Sequence, residues 1–226
     1  MNLPISDRLL ACAAFVRPGD RVADIGCDHG YLGIYLLSNG IARSMIEADI
    51  NQGPLDSAKR NGQKYGVAQQ MSFHLSDGVK DIPRNFDTLV CAGMGADTMV
   101  HILEDAPWLQ DSKYRLILQC QSKTPMLRQY LSDNGWHITK ETVLQDGKFL
   151  YTVMETSYAP EKSRLTAAQC YISPALLEHP SQALAAYCSR IMEGLQLAVT
   201  HQNDPEKKAI LEELQKCIPR PEEENV

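Results

Sequence analysis

The sequence predicts a doubly wound α/β fold: a mostly parallel sheet with one antiparallel strand added late, followed by a C-terminal helical hairpin. Three observations carry this expectation. Short apolar runs alternate with helical stretches from Arg21 to Asp133, the pattern of successive βα units. Two later strand-like runs flank an Asp146-Gly147 step that favours a tight reversal. From about Ala159 the strand pattern stops and helical periodicity takes over.

Ser6, Asp7 and the run Arg8 to Phe15 read as a short capped helix, and a Pro18-Gly19 turn leads into a strand, Arg21 to Ile25. Helix Tyr31 to Ser38 leads to strand Ser44 to Ala48, and helix Pro54 to Tyr65 to strand Met71 to Leu75. Strand Phe86 to Ala92 runs into helix Ala96 to Asp105. Strand Arg115 to Gln119 precedes helix Pro125 to Asp133, for which Thr124 is the expected N-cap. Strands His137 to Leu144 and Phe149 to Glu155 form the hairpin. Ala167 to Pro180 reads as an irregular or helical connector. Gln182 to His201 and Pro205 to Ile218 each carry an apolar stripe at spacings of three and four, a coiled-coil-like pair. Residues 1–158 are therefore expected to form the Rossmann-like sheet domain and residues 159–226 a helical domain, ending in a frayed acidic tail from Pro219 to Val226.

With 44% apolar and 22% charged residues, the chain is neither disordered nor fibrous. No apolar run approaches the ~20 residues of a membrane span. Met1 to Asp7 lacks the charged-then-apolar pattern of a signal peptide. A soluble, cytoplasmic protein is expected. Seven scattered cysteines without a Cys-x-x-Cys pair argue against zinc and against a disulfide framework, so no metal is expected. Cys27, Cys91 and Cys120 sit in or beside strand-like runs and read as small buried hydrophobes. The net charge of −6 does not advertise nucleic acid, so any RNA contact needs a local basic face.

Val22-Ala23-Asp24-Ile25-Gly26-Cys27-Asp28-His29-Gly30 is a strand running into a glycine turn and then a helix, a Rossmann-like arrangement that brings backbone close to a nucleotide-like ligand. A dinucleotide fingerprint starting at Gly26 requires glycine at positions 28 and 31, which hold Asp28 and Tyr31. S-adenosylmethionine fits better, because it has no pyrophosphate and carries two cationic centres that favour carboxylates. Asp24 stands just before the turn, with Gly26, Cys27 and Gly30 in it. Asp49 ends the second strand where two ribose hydroxyls are taken, and Asp77-Gly78 follows the third where an adenine amine is accepted. Gly93, Met94 and Gly95 form a second glycine turn facing the same crevice. Each acid alone is an ordinary turn residue or cap. Their order at successive strand ends makes them specific.

The run Asp24-Ile25-Gly26-Cys27-Asp28-His29-Gly30-Tyr31-Leu32, with Asp77-Gly78 and Ala92-Gly93-Met94-Gly95, resembles the bacterial tRNA (adenine(22)-N(1))-methyltransferase family. The early Ser6-Asp7-Arg8-Leu9 and the helical hairpin extend this resemblance over nearly the whole chain. It implies a class I methyltransferase with a Rossmann-like N-terminal domain, S-adenosylmethionine as cofactor, a helical C-terminal domain, and tRNA methylated at N1 of a D-loop adenine. Ala96 departs from the pattern, where a further glycine is expected.

Neutral adenine offers a lone pair at N1, so alignment matters more than a strong base. Asp28 is the candidate to hold the adenine amine or offset the developing positive charge, with helix capping or cofactor binding as its other roles. Tyr31 is a candidate platform for a base turned out of its stack, or a packing residue. Arg8, Lys123, Arg128, Lys162, Arg164 and Arg190 are candidate phosphate contacts. Two other readings stay open: a methyltransferase acting on a protein or small molecule, and a non-catalytic cofactor-binding module.

Overall fold

The computed structural model describes residues 3–162 and 164–218, so the expected tail, residues 219–226, lies outside the described residues. Strands β1 (Arg21–Ile25), β2 (Ser44–Asp49), β3 (Met71–Leu75), β4 (Thr88–Met94), β5 (Arg115–Cys120), β6 (Trp136–Asp146) and β7 (Phe149–Tyr158) form one sheet in the order β3-β2-β1-β4-β5-β7-β6. β1 to β5 pair in parallel, and β7 runs antiparallel to both β5 and β6. This is the predicted sheet, with β7 as the one reversed strand. The order reverses between β1 and β4, and at such a switch point the loops diverge and leave a crevice at the strand ends.

The central strands are apolar throughout because both faces of the sheet are covered. Ala23, Leu89, Leu116 and Leu118 face a core completed by α4 (Ala96–Glu104) and α5 (Thr124–Asp133). Their neighbours Val22, Val90, Ile117 and Val153 face the opposite core, completed by α1 (Asp7–Ala13) and α2 (Tyr31–Ser38). Helix α3 (Gln52–Lys64) packs outside β2 and β3. At the N-terminal edge, Arg115 of β5 pairs with Asp20 and, at 3.1 Å, with Glu155 of β7, which ties the reversed strand to its neighbour. Cys27, Cys91 and Cys120 are all buried, as expected of small apolar packing groups.

Three local expectations are corrected. Phe86 and Asp87 precede β4, and the strand runs on to Met94 instead of ending at Ala92. It continues because the Gly93 N–H donates to Gln119 Oε1 at 2.9 Å across a β-bulge, so the second glycine turn is a bulged strand end. Thr124 is not an N-cap. It is the first residue of α5, and the cap is Lys123 with φ +57 and no side-chain cap bond.

After β7 the chain forms α6 (Ala167–Tyr171), α7 (Pro174–Leu177), α8 (Gln182–Gln202) and α9 (Pro205–Cys217). Ser181 and Asp204 cap the two long helices, and Asn203, with φ +48, closes the first. Leu184, Tyr187 and Leu195 of α8 and Ile210, Leu211 and Leu214 of α9 form a separate apolar core that also takes in Val143 of β6.

A buried ion pair lies within the join between these helices and the sheet. Arg128 on α5 and Glu141 on β6 are both fully buried and pair at 2.8 Å. Arg128 also donates to the carbonyls of Cys170 at 2.9 Å and Tyr171 at 2.7 Å, while Glu141 accepts from Ser173. Burial opposes the guanidinium charge, but the facing Glu141 outweighs it and holds Arg128 protonated. Removing one member of such a pair strands the other charge, so Arg128→Ala should cost about 3–5 kcal/mol in chemical denaturation. Breaking the exposed Arg164–Asp133 pair by Arg164→Ala should leave the denaturation midpoint unchanged.

Candidate cofactor and substrate site

The turn after β1 is held by backbone. Gly26 and Cys27 both donate their N–H to the Ala48 carbonyl, at 2.8 and 3.0 Å, and Gly30 donates to Cys27 O at 2.8 Å. Gly26 has φ +74, a conformation costly for any residue with a side chain, and a Cβ there would come within 2.4 Å of the Met94 methyl. The glycine turn after β1 and the bulged end of β4 thus meet across the switch point, with Met94 reaching over Gly26. Cys27 packs in a small cluster with Leu55 and Ala58, with Glu47 beside its thiol. Burial pushes that thiol up, so it stays neutral.

Carboxylates gather behind this turn. Asp49, at the end of β2, accepts from Asn51 N at 2.9 Å and from Asp28 N at 3.4 Å. Asp24 is almost fully buried, and burial together with the nearby Asp49 charge pushes its carboxyl up to about 7. The group is thus half protonated near neutrality, and a cation bound beside it favours the ionised form. Asp77 follows β3, where Gly78 has φ +61 and the Ser76 hydroxyl donates to the Gly78 carbonyl at 2.9 Å. Lys80 pairs with Asp77 at 2.6 Å and with Asp105 at 2.9 Å. Asp77, His101 and Asp105 form an exposed group of metal-ligating types, but the Lys80 ammonium already sits on two of its three members.

Asp28 has φ +50, a region that Asp tolerates better than most residues. Its side chain is 71% exposed and lies 3.6 Å from His29. It does not cap α2, whose N-cap is Gly30. Asn61 anchors this segment by donating to His29 O at 3.0 Å. Tyr31 opens α2 half-buried, with its ring 5.8 Å from that of His29. Ala96, where a glycine was expected, opens α4 fully buried with no positive φ, so the backbone here needs no glycine.

The candidate phosphate contacts separate into three groups. Arg128 is corrected: its guanidinium is fully buried against Glu141 and reaches no ligand. Lys162 and Arg164 lie near Gly135 and Tyr158, at the N-terminal edge of the sheet and away from the glycine turns. Arg8, Lys123 and Arg190 lie toward the crevice edge. Arg8 pairs with Asp146 in the hairpin turn at 3.0 Å, and Lys123 with Asp97 at 2.8 Å.

Three residues that the pattern search passed over also shape the site. Ile50, directly after Asp49, is 63% exposed and offers an apolar face at the end of β2. Gln119 is fully buried and holds Gly93 in its bulge. Glu47, fully buried in β2 beside the Cys27 thiol, fills the space left by Gly33, and burial together with the Asp24 charge pushes its carboxyl well up. An acid inside an otherwise apolar strand was the available signal for Glu47.

These residues fit S-adenosylmethionine, with side-chain-free backbone at Gly26 for close approach, buried carboxylates for its cations and Asp49 at a strand end for its ribose. Gly26→Ala should weaken S-adenosylhomocysteine binding at least ~10-fold in calorimetry, because the φ +74 turn must deform; unchanged affinity would remove this turn from the cofactor cradle. The same affinity should rise roughly tenfold between about pH 6 and pH 8, as the Asp24 carboxyl ionises through about 7. In Asp24→Asn the rise should be absent.

Comparison with known proteins agrees with this geometry. Residues 5–154 match the family model described as a methyltransferase domain. The tRNA (adenine(22)-N(1))-methyltransferase of Bacillus subtilis is 34% identical over 154 residues, 68% of this chain and 65% of that protein, just under two thirds of its length. The crystal structure of the B. subtilis m1A22 tRNA methyltransferase superposes with a TM-score of 0.79 at 27% identity, covering 96% of each chain. A Streptococcus pneumoniae structure in complex with S-adenosyl-L-methionine superposes with a TM-score of 0.82 at 27% identity, covering 94% of this chain and 98% of that one. The chain belongs to the methyltransferase-domain family, and it is similar to the bacterial tRNA (adenine(22)-N(1))-methyltransferases in sequence and fold.

Proposed function

We propose that the protein transfers a methyl group from S-adenosylmethionine to N1 of a D-loop adenine of tRNA, position 22 by its relatives. The observation that carries this reading is the meeting of the glycine turn after β1 and the bulged end of β4 at the switch point, with Asp24 and Asp49 behind them and Asp28 exposed at the mouth. The cofactor supplies an activated methyl that the N1 lone pair takes, the departing sulfur keeping the bonding electrons. Asp49 holds the ribose and Asp24 the cationic end. Asp77 faces the adenine once Lys80 is drawn off toward Asp105, and Gly93, Met94 and Gly95 line the methyl's path. Asp28 positions the target base through its exocyclic amine and lies close to the positive charge that the product acquires. Tyr31 backs the flipped base.

Residues 1–158 act as the catalytic domain, and the helices α6 to α9 that follow act as a coiled-coil-like arm for the RNA. Among the described residues no helix is long and apolar enough to cross a membrane, and a tRNA substrate puts the work in the cytoplasm. The test is incubation with unmodified tRNA transcripts and labelled S-adenosylmethionine, followed by identification of the methylated nucleoside. The expected product is 1-methyladenosine. Asp28→Asn keeps a residue that tolerates positive φ while removing the charge. It should lower kcat at least ~10-fold with S-adenosylhomocysteine affinity unchanged. Full activity in that variant would strip Asp28 of its role, and absence of label in every tRNA would overturn the substrate.

A further inference from the structure

Between the sheet's crevice edge and the C-terminal helices lies an open cleft of about 520 Å³, within the ~300–1,000 Å³ typical of small-ligand sites. Its walls come from three places: the β5–α5 loop, the β6–β7 hairpin, and α8 with the start of α9. The chain as a whole has 28 acidic and 22 basic residues. The cleft reverses that balance, because Lys123, Arg190 and Lys207 line it and no carboxylate does. Four aromatic rings share the lining: Phe149, Tyr151, Tyr171 and Tyr187.

We infer that this cleft is a binding site for single-stranded RNA, taking a nucleotide that flanks the target adenine, with its base against Tyr151 and its phosphate at Arg190. The inference rests on the tRNA reading above and adds to it where the strand lies.

Aromatic faces interleaved with cations, without acids, are the chemistry that holds unpaired nucleotides, the rings taking bases and the cations taking phosphates. Tyr151 is half-buried, and Phe149, 47% exposed, stands 6.0 Å from it with the two rings inclined at 32°. Arg8 stacks on Tyr151 at 5.5 Å and Lys148 on Phe149 at 5.3 Å, so both rings are held among cations. Lys123 pairs with Asp97 and Lys207 with Asp204. Arg190 is exposed and has no carboxylate partner among the described residues, which leaves its charge for a ligand.

Position ties the cleft to the chemistry. Its floor, Gln121 and Ser122, is bonded to the second glycine turn: Gln121 N donates to Met94 O at 2.9 Å, and Ala96 N to Ser122 O at 3.1 Å. A strand crossing the cleft therefore arrives at Met94, on the proposed path of the methyl. Lys162 and Arg164, on the opposite edge, lie on no such route.

The test uses the full-length protein, an unmodified tRNA transcript and S-adenosylmethionine, with KM for tRNA and kcat measured separately and S-adenosylhomocysteine binding as the control for folding. Arg190→Glu should raise KM for tRNA at least ~10-fold and lower the slope of log affinity against log salt by about 1. Tyr151→Ala should raise that KM at least ~5-fold, as loss of one stacked base does, and Tyr151→Phe should restore it. In all three, kcat should change less than about twofold. Lys113→Glu, a charge reversal at the opposite end of the sheet, should behave as wild type. If wild type forms 1-methyladenosine but Arg190→Glu and Tyr151→Ala keep its KM, the cleft is not the RNA site and the tRNA reading stands. If wild type methylates no tRNA, that reading falls and takes the inference with it.

Discussion

The fully buried pair of Arg128 and Glu141 decides how the two parts of the molecule sit together. Desolvating two charges is costly, and the cost is offset only when every remaining hydrogen-bonding atom finds a partner in good geometry. Here those partners are the carbonyls of Cys170 and Tyr171 and the hydroxyl of Ser173, all from the segment that follows the sheet. A shift of the C-terminal helices would break these bonds inside a dry interior. The tyrosine-lined cleft exists because α8 is held at that fixed distance from the hairpin.

At the crevice the constraint is electrostatic crowding. Asp24, Glu47 and Asp49 lie together, all buried, on the adjacent strands β1 and β2, and in the free protein burial and mutual repulsion push the carboxyls of Asp24 and Glu47 up. A site that is short of cations before binding gains more from a cationic ligand than a neutral site would. The adjoining turn is held by backbone bonds from Gly26, Cys27 and Gly30, with Asp49 and Asn61 as its side-chain ties.

RNA binding by an acidic chain is a matter of arrangement more than of total charge. Several surface cations here are tied to neighbouring carboxylates, as in Arg21–Asp87, Lys113–Asp111 and Arg164–Asp133. The cleft stands apart because carboxylates are kept off its walls and aromatic rings take their place. Local contact with phosphate depends on the field at that wall, which salt screens within about 10 Å, and not on a distant excess of Glu and Asp.

The sequence by itself determined the alternating sheet, the late hairpin, the helical arm and the order of acids at strand ends, since each is a local pattern: a period, a turn dipeptide, a cap, a glycine where backbone must turn. Tyr31 to Ser38 and Met71 to Leu75 were legible to the residue. What the tertiary structure decided are the properties that depend on partners far along the chain. Arg128 looked like any cation on an amphipathic helix, yet Glu141 and the Cys170 and Tyr171 carbonyls make it part of the core. Gln119 prolonged β4 through a bulge that no local signal marks. Lys162 and Arg164 went to the edge opposite the crevice, while Tyr151, Tyr187 and Arg190 converged on one cleft from separate elements. Burial and convergence are set by the packing of elements against one another, and a one-dimensional pattern carries the faces of those elements but not their neighbours.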